Sequence, residues 1–554
     1  MTANESGRLR TGGQILVDQL LIHGSTLGFC VPGESYLAVL DALHDVRDRF
    51  RLINARHEAG AAHMAEAYGK LTGRPGLCFV TRGPGATHAA VGVHTAMQDS
   101  TPMILLVGQV ATSALHREAF QEIDYRAMFG GVAKWVGQIE SADRIPEYLS
   151  RAFHVATSGR PGPVVLSLPE DVLSDTADVA DARPYRTAVA EVSAAAVEQL
   201  LPLLEAAERP LFIVGGSGWT DEACGAFATF AEQLGVPVAC SFRRQDVVDN
   251  NSDIYCGDLG TSGPTTLPGR VREADLVIVV GSRLSEMVTQ AYSIMAVPRP
   301  AQHLVHIHSD PDEIGKVYAP DLAIVGSVAS FVAAASRLQW DLSRRWEAWR
   351  SALRAEYERT ILPVDYDFPL NPSTVIAQLQ ALLPRDAVLT LDAGNHTGWA
   401  QRFFRFGRPG RQLGPTSGAM GYSVPAAVSA AIATSRVVVG CVGDGGFMMS
   451  GLELATAVQY GAKPIILVFN NGMYGTIRMH QERDYPGRVI GTNLPSIDFV
   501  ALAQSVGAHA ERVTATPEFE PAFRRALEAG RAALIELVCD PRQLTTRSRM
   551  SGPA

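Results

Sequence analysis

No apolar run in this 554-residue chain approaches the roughly 20 residues that a membrane-spanning helix needs. The first ten residues are polar and lack the apolar core of a signal peptide. The seven cysteines are dispersed, without the C-x-x-C spacing of a zinc or redox site. These absences argue against a membrane protein, a disulfide framework and a zinc protein. We therefore expect a cytoplasmic protein with reduced, buried thiols.

The chain also lacks an excess of basic charge, because 48 Lys and Arg residues stand against 57 Asp and Glu residues. Binding to nucleic acid or to a membrane surface needs clustered positive charge, so we expect neither partner. Hydrophobic residues make up 47% of the chain and charged residues 19%, as in folded globular proteins. A chain of this length exceeds what one hydrophobic core supports, which predicts about three domains.

Three stretches of the chain alternate short apolar strands with Gly-rich turns and amphipathic helical segments. This rhythm predicts an α/β fold of three doubly wound parallel-sheet domains, over residues 10–175, 195–340 and 365–545. The Asp-, Ala- and Pro-rich stretch 174–194 is predicted to be a linker. The predicted strands are Leu27–Val31, Gly76–Val80, Met103–Val107, Val164–Leu168, Leu211–Val214, Leu276–Gly281, Leu304–Ile307, Ala387–Leu391, Val437–Val442, Ile465–Phe469 and Ala533–Val538.

Two polar turns follow neighbouring predicted strands of the third domain. One is Val442-Gly-Asp-Gly-Gly446, and the other is Phe469-Asn-Asn-Gly472. The spacing accommodates one helix and one strand, so both turns should lie at the carboxyl ends of parallel strands, where such sheets bind ligands. Mg²⁺ prefers a few protein oxygens and shares its coordination with phosphates. Asp444, Asn471 and a backbone carbonyl just beyond could supply those oxygens, while the glycines let the backbone approach an anion.

This pair of turns is similar to the cofactor signature of thiamine diphosphate-dependent enzymes. The resemblance implies pyrimidine-binding, central and diphosphate-binding domains, and it implies that Asp444, Asn471 and the backbone of Met473 ligate Mg²⁺. The turn Asp392-Ala-Gly-Asn-His396 resembles a second diphosphate-side turn of the family. The residues that the resemblance assigns to the diphosphate side are Gly394, Asn395, His396, Gly443, Asp444, Gly445, Gly446, Asn471, Met473, Tyr474 and Gly475.

The segment Ala55-Arg-His-Glu58 places one acidic side chain before a run of small residues and resembles the family's Arg-His-Glu segment. The resemblance implies that Glu58 is the catalytic acid that activates the cofactor, since burial can keep a carboxyl proton available near neutrality. The simpler alternative is a charged helix start. Similarly, Gly418 is implied to accept a hydrogen bond from the cofactor's 4′-amino group, and Met420 to lie beneath the cofactor. In this family Glu58 and Asp444 come from different subunits, which implies a homodimer or a homotetramer.

Within the family, the first domain is most similar to acetolactate synthase large subunits. Four segments carry this similarity: Arg82-Gly-Pro-Gly-Ala-Thr87, Asp99-Ser-Thr-Pro102, Gly108-Gln-Val110 and Ala119-Phe-Gln-Glu122. The resemblance implies a lyase or carboligase that decarboxylates a 2-oxo acid and then forms a carbon–carbon bond or releases an aldehyde. It places Gln109, Phe120 and Gln121 in the substrate pocket, with Gln121 as a candidate catalytic residue.

The sequence departs from those synthases at several positions near the expected pocket. Glu34 and Ser35 replace the usual Gly-Ala of a Pro-Gly-Gly-Ala turn, Glu170 stands where a lysine is common, and His480 replaces a tryptophan. We therefore expect Glu34, Ser35 and His480 to face the substrate, with His480 as a further candidate catalytic residue. A surface histidine is the equal alternative for His480. These departures leave the exact substrate open.

The central domain leaves three readings open. Gly281-Ser-Arg-Leu-Ser-Glu286 lacks the arginine-rich run of flavin-binding relatives, whereas residues 306–314 resemble the adenine-side strand end of the same proteins. FAD, a CoA-type nucleotide or no ligand are the alternatives, and we favour the last. The corresponding alternative functions are a 2-hydroxyacyl-CoA lyase or an oxalyl-CoA decarboxylase-like enzyme acting on an acyl-CoA, and a flavin-linked oxidoreductase resembling pyruvate oxidase.

Overall fold

The structure, a computed structural model, describes residues 9–342 and 345–550. It contains three six-stranded parallel sheets with helices packed around them, which confirms the predicted α/β class and its three sheet domains. The domain boundaries at residues 10–175, 195–340 and 365–545 remain predictions. By contacts the chain forms two compact units: residues 9–188 with segments 424–434 and 450–462, and the remaining described residues. No helix in the described ranges is both long and apolar enough to cross a membrane.

The first unit is built on a sheet whose strands are buried over most of their length. Its strand order is Arg51–Asn54, Leu27–Cys30, Gly76–Val80, Met103–Gln109, Pro163–Pro169 and Trp135–Gln138. A short antiparallel pair joins Arg10–Thr11 to Thr176–Ala177. The helices of this unit are Gly12–Ile22, Leu37–Asp45, Glu58–Thr72, Pro84–Asp99, Tyr125–Phe129, Ile145–Thr157, Glu170–Ser174, Ser423–Ala433 and Glu453–Gln459.

Small residues bring the helices of the first unit close together. A Cβ on Gly92, in helix Pro84–Asp99, would lie 2.4 Å from the Cβ of Ala62 in helix Glu58–Thr72. On another side of the same helix, the Ser429 hydroxyl donates to the Met64 carbonyl at 2.7 Å. This close packing fixes the position of the helix that begins with Glu58.

The second unit contains the other two sheets. The central sheet has the strand order Tyr255–Leu259, Val238–Ser241, Pro210–Val214, Leu276–Val280, His303–His308 and Leu322–Val325. The third sheet has the order Arg411–Leu413, Val388–Leu391, Val438–Gly443, Ile465–Asn470, Ala533–Val538 and His509–Val513. The helices are Ala194–Glu198, Leu200–Ala206, Asp221–Leu234, Leu267–Glu273, Val328–Ala335, Glu347–Thr360, Pro372–Leu382, Thr397–Phe403, Asp444–Ser450, Gly475–Asp484, Phe499–Ser505 and Thr516–Glu528.

The first and third sheets share one strand order, 2-1-3-4-6-5 when each sheet is numbered along the chain, whereas the central sheet has the order 3-2-1-4-5-6. In the third sheet the order reverses between Val388–Leu391 and Val438–Gly443. The connections leave these two strands towards opposite sides, which opens a crevice at their carboxyl ends. Asp392 and Asp444 are the first residues after the two strands, so the topology itself places them at the ligand-binding edge.

Every predicted strand is present within two residues of its expected bounds. The predicted linker has no helix or strand between Ala177 and Ala194, as expected. It is nevertheless tied to the first unit, because Asp181 accepts hydrogen bonds from Arg10 at 2.8 Å and from Gln19 at 2.7 Å. Seven strands of the three six-stranded sheets were not predicted from the sequence, and neither was the short pair Arg10–Thr11 and Thr176–Ala177. The seven are Arg51–Asn54, Trp135–Gln138, Val238–Ser241, Tyr255–Leu259, Leu322–Val325, Arg411–Leu413 and His509–Val513.

A buried charge cluster fixes the segment that follows strand Val238–Ser241. The Asp246 carboxylate is buried, with Nε of Arg244 and Nε of Arg411 each 3.3 Å from one of its oxygens. Arg408 donates to the Asp246 carbonyl at 2.9 Å. Burial alone would raise the pKa of Asp246, but the three guanidinium groups outweigh it and hold the pKa below its ordinary value. The ion pairs therefore stabilise the unit above the ordinary pKa of an aspartate, and this contribution is lost as the pH falls through the lowered pKa.

We expect Asp246→Asn to lower the free energy of unfolding of the second unit by about 3–5 kcal/mol, because it leaves buried guanidinium groups without their counter-charge. Urea denaturation at pH 7, followed by tryptophan fluorescence, measures the change. Asp221→Asn is the matched control, because Asp221 also pairs with Arg408 but is 47% exposed. The control should cost at most about 1 kcal/mol. Equal losses in the two variants would show that the buried cluster does not stabilise the unit.

Candidate active site

Asp444 joins the two polar turns of the third sheet. Its side chain is buried, with one oxygen accepting the Gly445 amide at 2.8 Å and the other accepting the Gly472 amide at 2.7 Å. Burial raises the pKa of Asp444 above its ordinary value. Within the described ranges the carboxylate accepts hydrogen bonds from backbone amides only. A buried carboxylate without a neighbouring cationic side chain is suited to a bound metal ion.

The second turn places two further oxygens in the same short segment. The Asn471 side-chain oxygen accepts the Met473 amide at 3.3 Å, and the Met473 carbonyl accepts the Gly475 amide at 2.9 Å. The Tyr474 amide donates to the Thr492 carbonyl at 2.8 Å and ties the turn to residues 492–494. Each of these oxygens has a second lone pair available. The donor set of a carboxylate, an amide and a backbone carbonyl is the hard-oxygen chemistry that Mg²⁺ prefers.

The turns leave space and free amides for an anion. Helix Gly475–Asp484 starts directly after the second turn, and no side chain in the described part of the protein caps it. The Gly475 amide is used by the Met473 carbonyl, so the uncapped amides that follow it are the ones available to a phosphate group. A Cβ on Gly443 would lie 2.9 Å from Nδ1 of His396, and a Cβ on Gly445 would lie 2.5 Å from the Tyr474 ring. Side chains at these two positions would close the approach to Asp444.

His396 contributes a polar atom that the protein itself does not use. Its Nε2 is buried and has no hydrogen-bond partner among the residues that the structure describes. Burial, assisted by the charge of Arg243, lowers the pKa of His396 to about 3, so the ring is neutral near pH 7. Its neighbour Asn395 is held by the hydroxyl of Thr476, which accepts the Asn395 amide at 2.9 Å. The buried, unpartnered nitrogen beside Gly443 fits a bound diphosphate, as do the uncapped helix and the oxygen donors.

Asp392 organises this edge, although the motif analysis gave it no role. Its buried carboxylate accepts the amides of Ala393 at 2.8 Å, Gly421 at 2.9 Å and Ser423 at 3.1 Å. Burial raises the pKa of Asp392 to about 6. These bonds attach the segment that carries Gly418 and Met420 to the turn of His396. The one sequence feature that pointed to Asp392 was its position directly after a predicted strand.

In the first unit, Glu58 is the first residue of helix Glu58–Thr72 and follows the N-cap His57. Its side chain is only 13% exposed, which agrees with the expectation of a largely buried acid. One carboxylate oxygen lies 2.9 Å from Nδ1 of His88, and the other would be 3.5 Å from a Cβ on Gly85. Since glycine leaves that side open, the second oxygen is accessible to a ligand group.

Glu453 fixes the loop that precedes Glu58, and sequence reasoning missed it. The buried carboxylate accepts the Arg56 amide at 3.0 Å, the His57 amide at 3.1 Å and the Thr456 hydroxyl at 2.6 Å. Burial raises the pKa of Glu453. Gly60 leaves room for this carboxylate, because a Cβ there would lie 2.2 Å from it. Glu453 lies 395 positions after Glu58 in the chain, and no feature of the sequence indicates that the two segments are in contact.

Two of the predicted substrate-pocket residues use their polar atoms within the protein. The buried Ser35 hydroxyl lies 2.9 Å from the Thr81 hydroxyl and accepts the Arg82 amide at 3.2 Å. The buried Gln109 side chain donates to the Ile123 carbonyl at 2.9 Å. Both side chains therefore fix loops at the carboxyl edge of the first sheet.

The remaining predicted pocket residues of this unit are more accessible. Glu34 is exposed in a short 3-10 helix, and Phe120 is 75% exposed. Gln121 has a φ of +65° and packs against Gly83, where a Cβ would lie 2.8 Å from it. The other departure, Glu170, pairs with Arg82 at 2.8 Å. The structure thus gives Glu34, Phe120 and Gln121 side chains that a ligand can reach.

His480 is exposed on helix Gly475–Asp484, which follows the turn that contains Asn471. Its Nδ1 lies 2.9 Å from a guanidinium nitrogen of Arg483. The helix is otherwise polar, with Arg478 paired to Glu482 at 2.9 Å. His480 therefore lies on the element that starts at the anion-binding turn, and its catalytic role remains a prediction.

In the central sheet, the order reversal lies between Pro210–Val214 and Leu276–Val280, and the turns that follow are in direct contact. A Cβ on Gly216 would lie 2.0 Å from the Gly281 carbonyl oxygen. His306 is buried, and its Nε2 lies 2.9 Å from the Ser282 carbonyl. The expectation that this domain binds no ligand remains a prediction, as do its alternatives, FAD and a CoA-type nucleotide.

Models of known protein families match three segments of the chain. The chain matches the thiamine pyrophosphate enzyme N-terminal TPP binding domain over residues 10–128, the central domain over 197–335 and the C-terminal TPP binding domain over 392–537. Thiamine pyrophosphate and thiamine diphosphate are two names for one cofactor.

Relatives resemble the chain over almost its whole length. It is 33% identical to the acetolactate synthase large subunit of Corynebacterium glutamicum, covering 95% of this chain and 86% of the relative. Acetolactate synthase isozyme 2 large subunit of Escherichia coli is 32% identical, with 96% and 95% covered. The probable acetolactate synthase large subunit of Methanocaldococcus jannaschii is 31% identical, with 96% and 92% covered. The chain therefore belongs to the thiamine pyrophosphate enzyme family, and within that family it is similar to acetolactate synthase large subunits.

Proposed function

We propose that the protein is a thiamine diphosphate-dependent lyase or carboligase that decarboxylates a 2-oxo acid and joins the product to a second carbonyl compound, in the manner of an acetolactate synthase. The observation that carries this proposal is the buried Asp444 carboxylate, which holds the two polar turns together and has no cationic side chain against it in the described ranges. The family match and the names of the relatives support the same activity.

The residues of the third sheet would hold the cofactor through its diphosphate. Asp444, Asn471 and the Met473 carbonyl would ligate Mg²⁺, and the uncapped amides that follow Gly475 would face the phosphates. His396 would donate or accept through its unpartnered Nε2. Gly418 and Met420, on the segment anchored by Asp392, would contact the aminopyrimidine ring. When bound, the cofactor supplies a thiazolium ring that accepts the electron pair left by departing carbon dioxide.

Glu58 would hold the proton that activates the cofactor. Its free carboxylate oxygen, on the Gly85 side, is the atom that would share a proton with a ring nitrogen of the aminopyrimidine. Glu453 and His57 fix the start of the helix, so this oxygen has a defined position before any ligand arrives.

Glu58 and Asp444 would come from two subunits of a homodimer or homotetramer. Exposed apolar side chains support a partner surface: Met448 and Met449, on the helix that starts with Asp444, are 48% and 52% exposed, and Phe120 is 75% exposed. These side chains would be covered by the partner subunit in the proposed assembly.

Substrate choice would lie with Gln121 and Phe120 in the first unit and with His480 in the second. Gln121 and Phe120 have side chains that a ligand can reach, and His480 lies on the helix that follows the proposed anion-binding turn. Glu34 would add a negative charge to the first group. We assign Ser35 and Gln109 to the shape of the pocket, because their polar atoms already bond to the protein.

We expect Asp444→Asn to weaken binding of Mg²⁺ and thiamine diphosphate by about 100-fold or more, because a charged ligand between metal and protein is lost. Isothermal titration calorimetry with both ligands measures the affinity. Asp484→Asn is the control, since Asp484 lies at the end of the neighbouring helix and pairs with Arg483 at 2.7 Å. Wild-type affinity in Asp444→Asn would overturn the metal assignment.

We expect Glu58→Gln to reduce decarboxylation of 2-oxo acids by about 100- to 10,000-fold, because the proton of a general acid is lost. The assay follows carbon dioxide release from a panel of 2-oxo acids, with thiamine diphosphate and Mg²⁺ added or omitted. Glu140→Gln, in an exposed pair with Arg144, is the control. Failure of the wild-type protein to release carbon dioxide from any 2-oxo acid would contradict the proposed reaction.

Mixing the two variants tests the shared site. A heterodimer of Glu58→Gln and Asp444→Asn chains contains one site with both native residues, so co-refolded mixtures should recover decarboxylation that neither variant has alone. Two different affinity tags, one on each variant, allow the mixed assembly to be purified in two steps before the assay. Absence of recovery in verified heterodimers would show that both residues serve a site within one chain.

A further inference from the structure

His88 makes the one side-chain hydrogen bond that the described structure gives to Glu58. Its Nδ1 lies 2.9 Å from a Glu58 oxygen, and it projects from helix Pro84–Asp99, the helix that also carries Gly85. The His88 side chain is 50% exposed, whereas that of Glu58 is 13% exposed. The pair is therefore partly accessible from outside the protein. One oxygen of Glu58 lies against His88, and the other lies on the side of Gly85.

The groups around this pair are arranged so that only His88 reaches the carboxylate. The His57 ring stacks on His88 at 4.5 Å, but its Nδ1 accepts the Ala59 amide. The Arg56 guanidinium donates to the Asn54 carbonyl at 2.8 Å, and the carboxylate of Glu453 is occupied by the amides before Glu58. Tyr36 and Cys78 lie behind Glu58, and burial raises the pKa of both, so they stay neutral.

We propose that His88 is a positioning residue for Glu58. Nδ1–H of His88 donates to one oxygen, which fixes the rotamer of the carboxylate and directs the other oxygen towards the cofactor's pyrimidine ring. A hydrogen bond donated to a carboxylate favours its ionised form, so His88 also decides how readily Glu58 takes up a proton. This inference rests on the proposed role of Glu58.

The same three side chains, His57, Glu58 and His88, lie close enough for a metal ion, with ligand atoms within 4.8 Å of one another. Their hydrogen bonds favour the positioning role instead. Nδ1 of His57 is already engaged by the Ala59 amide, and Nδ1 of His88 by Glu58. A metal bound through these two Nδ1 atoms would have to break both contacts, whereas a proton between His88 and Glu58 leaves both in place.

The test compares His88→Leu, which removes the donor, with His88→Asn, which keeps a side-chain N–H. Calorimetric titration with thiamine diphosphate and Mg²⁺, in buffers of different ionisation enthalpy, counts the protons taken up on binding near pH 7. Without the donor, the protonated form of Glu58 is favoured beforehand, so His88→Leu should take up fewer protons than the wild type. His88→Asn should restore the wild-type count.

Turnover gives a second measure of the same role. We expect His88→Leu to lower kcat by up to about 100-fold with little change in the KM of the 2-oxo acid, because a misplaced proton donor affects the reaction more than binding. His88→Asn should recover most of kcat, but with a pH profile that lacks the titration of the histidine. Circular dichroism verifies that both variants are folded.

His44→Leu is the matched control, because His44 and Asp45 form another histidine–carboxylate pair in the same unit, 3.6 Å apart and about 70% exposed. It should match the wild type in proton count and kcat. If Glu58→Gln is inactive but His88→Leu also matches the wild type in both measures, the positioning role is wrong while the proposed function stands. If Glu58→Gln is fully active, the proposed role of Glu58 fails and the positioning role of His88 fails with it, whereas a wild type that releases no carbon dioxide overturns the proposed function. Stoichiometric Zn²⁺ binding that is lost in His88→Leu, with an unchanged proton count, would overturn the positioning role in favour of a metal site.

Discussion

The hydrogen bond from the Gly472 amide to the Asp444 carboxylate is the contact on which the candidate site depends. It links the ends of strands Val438–Gly443 and Ile465–Asn470 across a distance of 2.7 Å. The oxygens of Asn471 and Met473, and the uncapped start of helix Gly475–Asp484, all follow from the position of this turn. Burial raises the pKa of Asp444, which has only backbone amides as hydrogen-bond partners in the described ranges, and the proposed Mg²⁺ would balance its charge.

The sequence predicted every interior strand of the three large sheets except Val238–Ser241, and it missed all six edge strands. Strands such as Met103–Gln109 are buried along their whole length and therefore read as continuous apolar runs. Edge strands such as Arg51–Asn54 and His509–Val513 alternate exposed and buried residues over four or five positions, with charged side chains among them. A pattern this short does not differ from that of a loop, and only pairing with a neighbour defines it as a strand.

The residues of the candidate site also form two groups, those that sequence motifs indicated and those that they did not. Asp444, Asn471 and Glu58 could be identified because their chemistry is contained in short motifs. Asp392 and Glu453 could not, because each acts on backbone amides far away in the sequence or on a loop with no distinctive composition. Burial also changes the interpretation of Ser35 and Gln109. Both side chains are polar enough to bind a ligand, but their polar atoms form hydrogen bonds within the protein and hold its loops.

The first and third sheets share one strand order, yet they carry different functional groups at their carboxyl edges. At one edge lies a carboxylic acid supported by a histidine; at the other lie amides and hard oxygens suited to a metal and its phosphates. In the proposed site the acid and the phosphate-binding groups would belong to separate sheets, so substitutions could tune proton transfer at one edge without disturbing anion binding at the other. The proposed substrate-contacting residues are divided between the same two edges, so a change of substrate would call for substitutions at both.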